Sequence, residues 1–199
     1  MATSSSKWFR LHLLTLKERD CVSELANHTK TARASDLIER NDVTVTNIAA
    51  RRGARASLDE LARATFGVSL PSTPKAVEAG GTLIVWAGPD QWLIIQKEET
   101  GRDHYSELAK TFNGLASVID VTESRTIFRI SQARPSPVLS RSMGIDFHDA
   151  AFKPGDVAIT HVSHLGVIVW RLPDGTAYDF ACARTYSRDF GDWLRKAKA

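Results

Sequence analysis

Histidines are the side chains best suited to metal binding, and the sequence contains six of them. His161 and His164 are the closest pair, but a spacing of three sends two side chains to opposite faces of a strand, because side chains alternate along it. A turn at this point would place both histidines on a surface loop instead. No cysteine or second histidine pair has the spacing of a zinc ligand set. The sequence therefore predicts surface or turn histidines and no metal-binding residues.

Asp120 and Glu123 are the pair of carboxylates with the best placement for acid–base chemistry, which would require burial to shift a pKa. Both lie at a polar turn that continues into Ser124 and Arg125. Side chains at such turns commonly bond the backbone. We expect Asp120 and Ser124 to hydrogen-bond turn amides and Arg125 to pair with a carboxylate. This interpretation favours a structural role over catalysis.

The two cysteines, Cys21 and Cys182, have no neighbouring histidine or helix start that would lower a thiol pKa. Cys182 lies in an apolar run typical of a strand, and we expect it in the core. Gly80-Gly81 precedes a predicted strand, whereas a dinucleotide-binding loop joins a strand to a helix. The sequence also lacks a Gly-rich loop that ends in Lys-Ser or Lys-Thr. It therefore predicts no catalytic residues and no cofactor-binding residues.

A basic cluster, formed by Arg51, Arg52 and Arg55, is the most suitable sequence feature for an anionic partner. Together with five tryptophans it raises the alternative of an RNA-binding module, although the tryptophans stand in apolar runs typical of a core. A net charge of +3 does not by itself indicate a nucleic-acid binder. We interpret the three arginines as candidates for a protein interface and expect no nucleic acid.

The segment from Trp8 to Leu16 is apolar on both faces if it is extended. A strand with two apolar faces must be covered on both sides, or it becomes an edge prone to association. We therefore expect this arm to contact another subunit as well as its own domain. Its interface candidates are Trp8, Phe9, Leu11, Leu13 and Leu14.

Length and composition indicate a globular protein, because 43% of the 199 residues are apolar. Two distant cysteines are typical of a reducing compartment, and the first residues lack the features of a signal peptide. No apolar run is long enough to span a bilayer. We expect a soluble cytoplasmic protein with no membrane contact.

Turn residues and apolar periodicity predict the elements of the first half. Ser57 and Glu60 have the spacing of a capping box and predict the start of a helix that Gly67 ends. The Pro- and Gly-rich segment from Leu70 to Gly81 is predicted to be a loop. Asp103 is predicted to cap a second helix. The predicted strands are Val43 to Ile48 and a hairpin of Thr82 to Ala87 with Trp92 to Gln96.

The second half contains the stretch richest in strand-forming residues, from Ser117 to Arg184. Trp170 lies within this stretch and Trp193 on the final helix, and we expect these two side chains to share a core. Tyr105, on the helix that Asp103 caps, is predicted to face inward. The predicted elements are two strands within Ser117 to Ser131, a helix from Pro135 to Met143, a meander of Asp156 to Ser163, Leu165 to Leu172 and Thr176 to Ala183, and a final helix carrying Tyr186, Phe190, Trp193, Leu194 and Ala197.

Hairpins dominate this order of elements, which predicts an α+β fold of mainly antiparallel sheets with helices packed on them. For domain organisation, residues 1–40 are predicted to be an N-terminal arm and an irregular segment. Residues 41–199 are predicted to form one α+β domain. Two half-domains within it, of about 41–115 and 116–199, are a further possibility that the sequence raises.

Several segments, taken together in order and spacing, resemble the γ subunit of heterotetrameric sarcosine oxidase between about residues 65 and 195. The segments are Trp86 to Ile94, Val118 to Ser131, Gly144 to His148, Ala151 to Gly155, Val167 to Arg171 and Arg184 to Tyr186. The resemblance implies a fold similar to the folate-binding domain of glycine cleavage T protein. It also implies α, β and δ partner subunits that together form an oxidoreductase of sarcosine catabolism and one-carbon metabolism.

Such a complex oxidises sarcosine to glycine and produces hydrogen peroxide, with formaldehyde or methylenetetrahydrofolate as the one-carbon product. The resemblance implies that FAD, FMN, NAD, tetrahydrofolate and zinc are held by the partner subunits, with no cofactor and no catalytic residue on this chain. Two segments depart from the pattern of folate-using relatives, Gln132 to Pro135 and Pro173 to Thr176. The second lacks the expected carboxylate motif, which implies that the fold is kept while the folate site is lost. A free-standing folate-dependent one-carbon transferase is the alternative.

Overall fold

The computed structural model describes residues 37–131 and 137–197. Within these ranges, ten strands form two antiparallel sheets, with four α helices and one short 3-10 helix, Arg184–Tyr186. The strands are β1 Leu37–Glu39, β2 Val43–Ala50, β3 Ala76–Ala79, β4 Thr82–Gly88, β5 Gln91–Lys97, β6 Ala116–Asp120, β7 Arg125–Ile130, β8 Val157–Val162, β9 Leu165–Arg171 and β10 Tyr178–Ala183. The helices are α1 Arg55–Phe66, α2 His104–Thr111, α3 Pro137–Met143 and α4 Ser187–Ala197.

Sheet I has the strand order β3-β4-β5-β2-β6, and sheet II has the order β1-β7-β10-β9-β8. The predicted hairpin is confirmed as β4 and β5, with Asp90 at a φ of 56° in its tight turn. The predicted meander is confirmed as β8, β9 and β10. β6 and β7 follow one another in the chain, but β6 pairs with β2 and β7 pairs with β10. The chain therefore passes from sheet I to sheet II between these two strands.

Three apolar clusters divide the fold into layers, which confirms the predicted α+β class. One cluster lies between the sheets and includes Val45, Leu93 and Trp170. A second joins the other face of sheet II to α3 and α4, and a third joins the other face of sheet I to α1 and α2. Each sheet thus has its helices on one face and the other sheet on its opposite face, because its strands are apolar on both sides.

The predicted capping box at the start of α1 is wrong. The helix begins at Arg55, and its N-cap is Ala54, which makes no side-chain hydrogen bond. Both Arg55 and Asp59, in the first half of this helix, bond to the segment after it. Asp59 accepts a hydrogen bond from the Leu70 amide, and Arg55 donates one to the Leu70 carbonyl. The end of the helix at Gly67 is confirmed, with a φ of 79°.

Short strands and helix faces account for the other corrections. The segment predicted to be a loop contains β3, and the strand β1 lies outside every predicted strand. Helix α2 is capped by Asp103 as predicted, but it buries His104 and exposes Tyr105. Its N-terminal residue therefore supplies the inward contact that Tyr105 was predicted to make.

Trp170 and Trp193 do not share a core, contrary to prediction. Trp170 belongs to the cluster between the sheets, whereas Trp193 stacks on Phe190 at a centroid distance of 5.8 Å on the helix side of sheet II. The alternation of side chains along β9 explains the separation, because Val169 faces the helices and Trp170 faces sheet I.

Several predictions lie outside the described residues. These are the arm with Trp8, Phe9, Leu11, Leu13 and Leu14, the thiol of Cys21, and the segment Gln132 to Pro135 with the predicted start of its helix. The division into half-domains near residue 115 stays a prediction. None of the helices described at residues 37–131 and 137–197 is long and apolar enough to cross a membrane.

Candidate functional site

The turn at residues 121–124, which we call the crossing turn, carries the chain from sheet I to sheet II. Asp120 accepts a hydrogen bond from the Thr122 amide at 2.9 Å, as predicted. Ser124 differs from the prediction, because its hydroxyl donates to the Val121 carbonyl at 3.1 Å rather than accepting from an amide. The Arg125 amide also donates to the Val121 carbonyl. Asp120 and Ser124 therefore stabilise the turn.

Arg184 holds the crossing turn from the side of sheet II. Its guanidinium donates to the carbonyls of Glu123, Thr122 and Arg125 at 2.9–3.0 Å. Its backbone amide also donates to the Ser124 carbonyl at 2.9 Å. The planar guanidinium suits this role, because its donors are fixed in a fork that can reach several carbonyls together.

Thr122 ties the same turn to sheet I. Its hydroxyl oxygen accepts a hydrogen bond from the Val45 amide at 2.9 Å. The Val121 amide donates to the Val45 carbonyl, also at 2.9 Å. The crossing turn is thus bonded to β2 of sheet I and to Arg184, which directly follows β10 of sheet II, and these bonds connect the two sheets at this end.

A cavity of about 180 Å³, which we call the seam cavity, lies beside the crossing turn. Its apolar lining is Val43, Val45 and Ile127, and its polar lining is Arg40, Asn41, Glu98, Thr122, Glu123, Arg125 and Arg184. Arg40 makes two hydrogen bonds to Asp42 at 2.6 and 3.0 Å, and these bonds hold the pKa of Asp42 below its ordinary value.

The predicted partner of Arg125 is absent from the described part of the chain. Its guanidinium makes no hydrogen bond or ion pair with residues 37–131 or 137–197, although it is only partly exposed. The carboxylate of Glu123 instead lies 4.0 Å from Arg184, and its side chain is 93% exposed. Asp120 and Glu123 therefore share no partner at the turn.

A buried ion pair lies on β7 beyond Arg125, on the same face of the strand. Arg129 and Asp179 form two hydrogen bonds of 2.7 Å, and Asp179 is only 1% exposed. Burial raises the pKa of Asp179, and the hydrogen bonds from Arg129 oppose that rise. Burial lowers the pKa of Arg129, but the bonds to Asp179 outweigh it and the pKa is raised. The close bidentate geometry favours the charged form of both groups.

Arg171 holds the loop that precedes β8. It donates to the Asp149 carboxylate at 2.8 Å and to the Phe152 carbonyl at 3.0 Å. Gly155, at the end of this loop, has a φ of 80°, and a Cβ there would lie 3.0 Å from the Ala76 carbonyl oxygen. Close approach to β3 therefore requires glycine at this position.

The structure separates the three arginines of the predicted basic cluster. Arg51 and Arg52 are exposed in the turn before α1. Arg55 is partly buried, and its guanidinium carbon lies 4.3 Å from the centroid of the Trp92 ring. The role of these arginines at an interface stays a prediction, and Arg55 has an internal role in the fold.

Cys182 is completely buried in the core, as predicted, and burial raises its pKa to about 11. His161 lies on β8 and His164 in the following turn, and both are exposed. Residues 37–131 and 137–197 contain no group of three histidine, cysteine or carboxylate side chains that could hold a metal ion. Sequence reasoning assigned no role to Arg129, Arg171 or Arg184, because their partners are far away in the chain.

Sequence comparisons identify relatives over the greater part of the chain. The model of the sarcosine oxidase gamma subunit family matches residues 52–199. A sarcosine oxidase subunit gamma from Arthrobacter sp is 30% identical over 118 residues, which are 58% of this chain and 57% of the relative. The corresponding subunit from Corynebacterium sp. strain P-1 is 28% identical over 115 residues, 56% of each chain. The matched segment thus spans little more than half the length of these curated relatives.

Solved structures share the fold at lower identity. A chain of the heterotetrameric sarcosine oxidase from Corynebacterium sp. U-96, in complex with pyrrole 2-carboxylate, aligns with a TM-score of 0.70 and 22% identity. This alignment covers 89% of the present chain and 92% of the other. Aminomethyltransferase T of the glycine cleavage system from Bartonella henselae aligns with a TM-score of 0.55 and 12% identity, over 79% of this chain and 44% of that one.

Proposed function

This chain belongs to the sarcosine oxidase gamma subunit family, and we propose that it is the gamma subunit of a heterotetrameric sarcosine oxidase, with a structural role in assembly. The family match over residues 52–199 is the observation that carries this proposal. The structural alignment supports it, because it extends over 92% of a chain from such a complex rather than over a single domain of it.

The contacts of the described arginines support a structural role. Arg184 binds three backbone carbonyls, Arg129 binds Asp179, and Arg171 binds the loop before β8. Each of these guanidinium groups therefore has partners within its own chain. In a catalytic site, by contrast, charged groups are directed toward the substrate.

The partners in this proposal are the alpha, beta and delta subunits of the complex, in the cytoplasm. The complex would convert sarcosine to glycine with release of hydrogen peroxide, as part of sarcosine catabolism and one-carbon metabolism. FAD, FMN, NAD, tetrahydrofolate and zinc would be bound by the partners. The one-carbon group would leave as formaldehyde or as methylenetetrahydrofolate.

A free-standing folate-dependent transferase is the second candidate, because the fold resembles aminomethyltransferase T. This chain, however, aligns with only 44% of that protein. The seam cavity itself, at about 180 Å³, is smaller than the roughly 300 Å³ at which pockets for organic ligands begin. The partial alignment favours the subunit over the transferase.

Co-expression with the three partner chains tests the proposal. We expect the full chain to co-purify with them, and we expect tetrahydrofolate to show no saturable binding to the full chain alone in calorimetry. Deletion of residues 1–16 is expected to weaken assembly while the circular dichroism spectrum stays folded. Substitution of Arg51 and Arg52 by Gln tests the other interface candidates separately.

Failure of the full chain to co-purify would contradict the subunit role, and micromolar folate affinity would support the transferase. Undiminished assembly after the deletion would show that the arm is not an interface element, but it would not contradict the subunit role. Arg188→Gln is a suitable control for the charge substitutions, since Arg188 is exposed and lies far from Arg51 and Arg52 in the chain.

A further inference from the structure

The seam cavity contains a cation without a partner in the described residues. Arg125 lies at the start of β7, opposite Ala183 on β10, and its carbonyl is already bonded by Arg184. Arg125 lines the cavity, and its guanidinium makes no hydrogen bond or ion pair within residues 37–131 and 137–197. A partly buried cation loses hydration, which is compensated only when an anion or other acceptor replaces the lost water.

The other two arginines of the cavity are already occupied. Arg40 is paired with Asp42 through two hydrogen bonds. Arg184 donates to three carbonyls and lies 4.0 Å from the Glu123 carboxylate. These contacts occupy two of the three arginines that line the cavity, and they leave Arg125 as the cavity arginine whose guanidinium has no hydrogen bond or ion pair in the described residues.

Glu98 and Glu123 are the carboxylates that line the cavity. Glu123 is directed into solvent, with 93% of its side chain exposed. Glu98 is also exposed and forms no ion pair with Arg125 in the described part of the chain. The Glu98 carboxylate competes with an entering anion for Arg125. Removing the charge of Glu98 is therefore expected to strengthen anion binding.

Size and shape define the ligand. A cavity of about 180 Å³ has space for roughly six water molecules at about 30 Å³ each. This volume excludes a folate or a dinucleotide but admits a group of a few atoms. A guanidinium presents two parallel N–H donors that match the two oxygens of a carboxylate. Asn41 lines the same cavity and adds an amide donor.

We propose that the seam cavity binds a small carboxylate through the guanidinium of Arg125. The apolar lining from Val43, Val45 and Ile127 suits the short alkyl part of such a ligand. The carboxylate can be a free small molecule or the side chain of an aspartate or glutamate on a partner subunit. The binding itself does not depend on the proposed function, because the full chain alone contains every residue that the site uses.

Titration of the full chain with sodium acetate tests the site. Acetate replaces chloride at constant ionic strength and pH 7, and NMR follows the Arg125 side chain and the amides of the crossing turn. We expect saturable binding. Arg125→Gln is expected to weaken it at least about tenfold, since a hydrogen bond to a charged group contributes about 1.5–3 kcal/mol. Glu98→Gln is expected to strengthen it about twofold or more, because it removes a competing charge.

Two further variants keep the test decisive. Arg125→Lys retains the charge but not the fork, and we expect it to bind acetate more weakly than the wild type and more tightly than Arg125→Gln. Arg52→Gln removes an exposed arginine elsewhere and is expected to leave binding unchanged. Two results would overturn the proposal. One is acetate binding that does not saturate, and the other is an equal loss of acetate affinity in Arg52→Gln and Arg125→Gln. Circular dichroism identifies any variant that fails to fold, and the remaining variants then decide.

The assembled complex distinguishes the two sources of carboxylate. If the ligand is a partner side chain, the complex no longer takes up acetate and Arg125→Gln weakens assembly. If it is a free molecule, the complex binds acetate as the full chain does. Both results support the site and differ only in the source. If the wild-type chain does not assemble with the partner chains, the proposed function is contradicted. The acetate titration of the full chain remains a valid test of the site.

Discussion

Arg129 on β7 and Asp179 on β10 lie directly opposite each other, and their side chains are joined by two hydrogen bonds of 2.7 Å. The pair lies on the face of sheet II that is turned toward sheet I, since Ile127 and Ala181 on the same face belong to the cluster between the sheets. Such a pair has lost most of its hydration, and its stability depends on keeping both partners.

Removal of one partner of this pair is expected to destabilise the fold. Asp179→Asn leaves Arg129 without a counter-charge and should cost about 3–5 kcal/mol, whereas replacing both residues by leucine should cost less. Urea denaturation measures both changes. Asp42→Asn is the matched control, because Asp42 also pairs with an arginine but its side chain is 56% exposed. A loss in Asp179→Asn no larger than in the control would contradict the assignment.

Arg184 is expected to determine the stability of the crossing turn. Arg184→Gln removes the fork that holds three carbonyls and should cost about 1–3 kcal/mol. Hydrogen exchange of the Arg125 and Ser124 amides should become faster, while exchange within the hairpin β4–β5 should not. Arg188→Gln, at an exposed arginine of the last helix, is the control. Equal exchange rates in wild type and Arg184→Gln would show that the turn is held by its own side chains.

Cys182 predicts a dependence of stability on high pH. Its folded pKa of about 11 lies above the ordinary 9.0, so its contribution is complete below pH 9 and is lost as the pH rises toward 11. The stability difference between the wild type and Cys182→Ala should therefore fall by about 1.4 kcal/mol for each pH unit in that interval. Denaturation of both proteins from pH 8 to 10.5 measures it. A difference that does not change with pH would show that the thiol is accessible to solvent.

Trp170 on sheet II and Trp193 on the last helix should contribute differently to the free energy of unfolding. Trp170 is completely buried between the sheets, and Trp170→Ala should cost about 3–5 kcal/mol. Trp193 is only partly buried, so Trp193→Ala should cost roughly half as much. Because they lie in separate clusters, the two losses should add in the double variant. Strong non-additivity in thermal unfolding would indicate a shared core after all.

Long strands were the elements that the sequence predicted best. The meander and the hairpin have runs of β-branched and aromatic residues between Gly, Pro and Asp turns, and these signals are local. β1 and β3 were missed because they have only three and four residues, and β1 also depends on pairing with the distant strand β7. The choice of sheet was also not predictable, since β6 and β7 adjoin in sequence yet enter different sheets.

The contacts of the candidate site were even less predictable from the sequence than the short strands. Arg51, Arg52 and Arg55 attracted attention because they cluster in sequence, but the fold turns Arg55 toward Trp92. Arg184 lies about sixty residues from the carbonyls that it binds. No local pattern relates such partners. The polar turn was identified from its own side chains, whereas only the family resemblance pointed to the segment that contains Arg184.

Assembly with the partner chains tests the central claim most directly. The alpha, beta and delta chains are expressed with and without this chain, and native mass spectrometry is combined with an assay of sarcosine-dependent hydrogen peroxide release. We predict a complex that contains one copy of each chain, and loss of assembly or of peroxide release when this chain is left out. A complex that forms and oxidises sarcosine equally well without this chain would contradict the assignment.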